Sequence, residues 1–115
     1  MVAKPSIPVS VVFRDMAASE AVQAYARDQA AKLGRRFRRI VSCRVTVAAP
    51  PRKGNPFQVR VEVMLPGREI AAKSDGRSAP DDVHAALRDA FAAATRQVLA
   101  HAGRSKSAEQ QAPRL

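Results

Sequence analysis

The chain has 115 residues, enough for one domain that buries roughly two thirds of its unfolded surface. It carries a formal charge of +10, and its large core formers are sparse: 23 alanines stand beside 13 valines and 4 phenylalanines. The single cysteine excludes an internal disulfide, no apolar run approaches the ~18 residues of a membrane span, and the start lacks a secretory apolar core, so the expectation is a cytoplasmic domain that contacts no membrane.

Ile7, Val9, Val11 and Phe13 alternate with Pro8, Ser10, Val12 and Arg14, the period of a strand with one buried face. Asp15 to Ala18 turn the chain. Ser19 is a good N-cap, and Glu20 puts negative charge where the helix dipole favours it. Val22, Tyr25, Ala26, Gln29, Leu33 and Phe37 keep helical spacing and predict a helix from Glu20 to Arg36, its end weakened by Gly34. Arg27, Asp28, Lys32 and Arg35 fall on the outer face of that helix.

Val41, Cys43, Val45 and Val47 then alternate with Ser42, Arg44 and Thr46, a second strand with Cys43 as a core thiol. Ala49 to Pro56 is a breaker-rich hairpin loop with Arg52 and Lys53 at its tip. Phe57, Val59, Val61, Val63 and Leu65 alternate with Gln58, Arg60, Glu62 and Met64 in a third strand. Pro66-Gly67 marks a tight turn, and Arg68 to Ser74 forms a fourth strand with Ile70 and Ala72 inward, broken by Asp75-Gly76. Ser78-Ala79-Pro80-Asp81 reads as a helix start: serine can cap, proline is tolerated in the first turn, and Asp81 and Asp82 sit at the positive end of the dipole. Val83, Leu87, Ala90, Phe91, Ala94 and Val98 mark one face of a long second helix, ending near Ala102 with Gly103 beyond it. Residues 104–115 are polar and expected to be disordered, which leaves 1–103 as the folded domain.

The order is βαβββα, an α+β fold. One apolar face per strand and one stripe per helix predict a single four-stranded sheet with both helices on one side. The open face then carries Arg14, Arg44, Arg60 and Lys73, with Ser10, Ser42, Thr46 and Gln58 between them.

Nine basic residues and no acidic one lie between Asp28 and Glu62. Such a field points to a polyanion, RNA or DNA, against the alternative of a solvated surface kept for solubility. No phosphate-loop, dinucleotide or nucleophile-elbow motif occurs. His84 and His101 are expected to be solvated, and two histidines with one cysteine build no usual zinc site. Asp81 and Asp82 are explained by capping. The expectation is therefore no catalysis, no cofactor, no metal and no small-molecule substrate. The phenylalanines all fall on inferred buried phases, so recognition would run through phosphates, 2′-hydroxyls and shape, which suits structured A-form RNA.

Three segments resemble the ribosome hibernation promoting factor and ribosome-associated inhibitor family. Ser19 to Ala26 followed by Lys32-Leu33 is similar to its first helix, Ile40 to Val47 to its second strand, and Asp82 to Phe91 with Arg96-Gln97-Val98 to its second helix. A basic residue is common in the family where Gln29 stands. The resemblance implies the same βαβββα fold, in a short form without the family's dimer-promoting C-terminal domain. It implies a non-catalytic inhibitor of translation, monomeric off the ribosome. Its partner would be the small ribosomal subunit and its rRNA, in the channel used by mRNA and tRNA. The residues expected to contact RNA are Lys32, Arg35, Arg36, Arg39, Arg44, Arg60, Arg88 and Arg96. Two other readings stay open: a general double-stranded RNA-binding module, and an adaptor whose open sheet face takes an acidic protein.

Overall fold

Alternation and helical spacing become, in the computed structural model, β1 (Val9–Arg14), α1 (Glu20–Arg36), β2 (Ser42–Ala48), β3 (Gln58–Leu65), β4 (Arg68–Lys73) and α2 (Val83–Gln111). The structure describes residues 7–50, 52, 54–76 and 82–111, with 102–111 described by backbone alone. The order is βαβββα, as the sequence predicts.

The strands form one sheet in the order β1-β2-β3-β4. β1 and β2 run parallel, because α1 returns the chain to the starting edge between them. The pairs β2–β3 and β3–β4 are antiparallel. The β3–β4 turn needs Gly67, whose φ of +73° lies in the left-handed region. Register aligns Cys43 with Val63 and Ile70, and Val45 with Val61 and Ala72. These side chains are buried and face the helices, while Arg44, Arg60 and Lys73 are exposed on the opposite side.

α1 lies against β1, α2 lies against β3 and β4, and the two helices touch. The alanine excess has a structural use here. Ala26, Ala30, Ala86, Ala90 and Ala94 are fully buried, so the helix backbones approach the valine surface closely. Leu87, Phe91 and Val98 fill the larger gaps, each contributing about 1.5–3 kcal/mol by leaving water. No helix among the described residues is long and apolar enough to cross a membrane.

Local chemistry sets the helix ends. Ser19 is extended, and its Oγ accepts from the Val22 N–H at 3.3 Å. At the other end Phe37 N–H donates to Leu33 O at 2.9 Å. Gly34 stays helical, and a Cβ there would lie 3.2 Å from Ile7 Cδ1, so the glycine admits the segment leading into β1.

Three expectations need correction. Val41 is not inward: it is 52% exposed, and Ile40, at 4%, is buried instead. A turn closed by Ile40 N–H to Phe37 O swings Ile40 into the core and leaves Val41 outside. Asp82 caps α2, as expected: its Oδ1 accepts from the Ala85 N–H at 2.9 Å. The expected start at residues 78–81, like Lys53 of the hairpin tip, lies outside the described residues. α2 does not end near Ala102 but continues past Gly103 to Gln111. His84 is half-buried, with its ring edge-on to Tyr25 at 4.8 Å between centroids. Cys43 is the core thiol expected, and burial pushes its pKa up to about 11.

Candidate nucleic-acid interface

Side chains four, seven and eleven positions along a helix share one face. Tyr25, Gln29, Lys32 and Arg36 have that spacing on α1, and Arg88, Ala92 and Thr95 have it on α2. The two faces meet in a groove of about 370 Å³ between the helices. Lys32, Arg36 and Arg88 line it together, so cations from distant parts of the chain converge across the helix layer.

Each is held differently. Lys32 Nζ lies 3.3 Å from Asp28 Oδ2 one turn earlier, with both side chains well exposed, a contact that contributes at most a few tenths of a kcal/mol and leaves the ammonium accessible. The Arg36 guanidinium sits 5.2 Å over the Phe37 ring, which orients it at the end of α1. Thr95 Oγ1 donates to Phe91 O at 2.8 Å and keeps an acceptor for the groove. Arg27 has a structural contact instead: its Nη1 donates to Val9 O at 3.2 Å and fixes α1 on the β1 edge.

The eight sequence-predicted contacts therefore separate. Lys32, Arg36 and Arg88 share the groove. Arg35, one residue from Arg36, and Arg96, one from Thr95, are turned about 100° away by helix geometry and do not line it. Arg39 is exposed in the turn between α1 and β2. Arg44 and Arg60 occupy the open sheet face, on the far side of the domain. Tyr25, Gln29 and Thr95 were not expected in the site, although their spacing from Lys32, Arg36 and Arg88 carries the signal. Gln29 stands on the groove wall as a neutral polar side chain among the cations.

Arginine and lysine on a rigid helix pair are suited to phosphates, which are met by position and shape rather than by base readout. Among the described residues, no three His, Cys, Asp or Glu side chains gather where a metal would sit. The class so defined is a basic α+β domain with cations from both helices grouped between them. The chain matches the family described as Sigma 54 modulation protein / S30EA ribosomal protein over residues 9–106, and it belongs to that family. No curated protein matches it by sequence at a significant level. Two similar solved structures agree on the fold. A ribosomal subunit interface protein from Coxiella burnetii superposes with a TM-score of 0.68 at 16% identity, covering 84% of this chain and 99% of that one. The N-terminal domain of Protein Y from Thermus thermophilus gives 0.63 at 19% identity, covering 82% and 96% respectively.

Proposed function

We propose that this protein is a ribosome-associated, non-catalytic inhibitor of translation. It binds rRNA of the small subunit in the channel used by mRNA and tRNA, and acts by occupying it. One observation carries the reading: in a member of this family, Lys32, Arg36 and Arg88 converge on one groove between the helices. The groove presents three cations beside Tyr25, which suits the backbone of folded RNA. The name of the similar Coxiella burnetii structure, a ribosomal subunit interface protein, points the same way. On this reading the protein works in the cytoplasm during growth arrest, as a monomer when off the ribosome.

Sedimentation of a stationary-phase lysate tests it. The protein should travel with small subunits and whole ribosomes, and a Lys32→Gln/Arg36→Gln/Arg88→Gln variant should stay at the top of the gradient. Wild-type protein found only at the top would refute the proposal. Competition with an unrelated RNA duplex distinguishes general double-stranded RNA binding: equal displacement by duplex and by small subunits would favour the general module.

A further inference from the structure

A second groove, of about 950 Å³, lies on the open sheet face beside the β2–β3 hairpin. Arg14, Arg60 and Lys73 line it, with Thr46, Gln58 and Phe57. Register places Arg60 directly opposite Lys73 on the neighbouring strand. Like charges so paired cost a sheet up to about 1 kcal/mol. The contact from Arg60 Nε to Glu62 Oε1 is 3.9 Å long and on a half-exposed side chain, so it offsets little of that repulsion. A sheet that keeps two cations face to face gains when an anion lies between them.

The spread of the charges selects the kind of anion. Arg14 is on β1 and Lys73 on β4, at opposite edges of the sheet. Three strand spacings separate them, about 14 Å, which is wider than one phosphate and suits an extended backbone. Pro50, Pro56 and Phe57 supply an apolar wall for bases, and Thr46 and Gln58 supply hydrogen-bonding groups for sugars and base edges. Two carboxylates, Asp15 and Asp75, also line the groove, and Asp75 N–H is held by Asp89 Oδ2. Both carboxylates oppose an anion, so its charge contacts fall to Arg14, Arg60 and Lys73.

We propose that this groove binds a short single-stranded RNA segment, with Arg14, Arg60 and Lys73 on its phosphates and the bases against the Pro50–Phe57 wall. The site is on the opposite face from the helix groove and does not rest on the ribosome reading. Its test is fluorescence anisotropy with a labelled oligouridylate of about ten nucleotides, titrated with the full-length protein across a salt series. Arg60→Gln/Lys73→Gln removes two phosphate contacts, so the slope of log K against log salt should fall by about 1.4 and affinity should drop at least about tenfold. Arg60→Lys, which keeps the charge, should restore most of the loss when combined with wild-type Lys73. Arg68→Gln removes one charge from the same sheet outside the groove, and should change affinity less than about twofold. Asp15→Asn should tighten binding. Thermal unfolding of the double variant should be unchanged or higher, because the like-charge pair is gone. Equal oligouridylate affinity for wild type and double variant would overturn the proposal. Competition by uridine monophosphate as effective as that by the oligomer would also overturn it, since a single phosphate would then suffice.

Discussion

Replacing Lys32, Arg36 and Arg88 together with glutamine removes the three cations that line the inter-helix groove while keeping side-chain length and polarity. Each phosphate contact on duplex-like RNA contributes about 0.9 to the slope of log K against log salt, so the slope should fall by about 2.7. Over a fourfold rise in salt, from 50 to 200 mM, that difference amounts to about fortyfold in affinity. The cost to folding is small. Among the described residues the ion pair lost is Lys32 with Asp28, an exposed pair one helical turn apart that contributes about 0.3 kcal/mol. Arg36 loses its ring contact with Phe37, about 0.5 kcal/mol at an exposed site. Filter binding to purified small subunits across the salt series gives the slope, and urea unfolding gives the stability. A variant that unfolds with the wild type but keeps its salt slope would show that the three residues touch no phosphate.

The remaining predictions concern the scaffold. Cys43 has its pKa raised from 9.0 to about 11 by burial, so the folded state favours the neutral thiol. Its contribution is present below pH 9 and lost as pH rises towards 11, about 3 kcal/mol in all; a Cys43→Ala variant should lose stability less steeply over that window, and parallel curves would refute the assignment. Leu87 is the largest of the fully buried side chains, and Leu87→Ala should cost about 3 kcal/mol, read as a lowered urea midpoint at constant slope. Ser19→Ala and Asp82→Ala each remove a cap that accepts a backbone N–H, and each should cost about 1 kcal/mol. The two caps sit on different helices, so the double variant should be additive in the same unfolding assay.

Much of the fold was legible because each element repeats one simple period. The bounds of α1 follow from Ser19, from the spacing of Val22, Ala26 and Leu33, and from the basic residues that close it. Valine alternation gave the inward side of β2 and β3 for the same reason. The misses occur where the period stops. Alternation assigns Val41 to the core because it ignores the turn that rotates Ile40 inward. Gly103 looks like a helix stop, yet a glycine costs a helix only about 1 kcal/mol, and α2 runs through it. Gly34 shows the converse, since its value is the close approach of Ile7, a contact no local pattern reveals. The site was legible as charge and illegible as grouping. Lys32 and Arg36 could be paired from helical spacing, but Arg88 joins them only through the packing of α1 on α2.

That packing also decides how the acid-free stretch between Asp28 and Glu62 works. A sheet with helices on one face cannot present nine cations to one flat partner. Lys32 and Arg36 emerge in the helix groove, while Arg44 and Arg60 emerge on the far side of the sheet. A partner that met the domain from one side would leave the other set solvated, and its salt slope would match one groove alone. A partner enclosing the domain would draw on both, and the slope would exceed the helix-groove share of about 2.7. The wild-type slope on small subunits, compared with that of the helix-groove and sheet-groove variants combined, therefore measures enclosure. If each set of substitutions lowers the slope, and the two reductions add, RNA lies against both faces. If the sheet substitutions change nothing on the ribosome, the helix layer is the only ribosomal contact, and the sheet groove is left free for a separate strand.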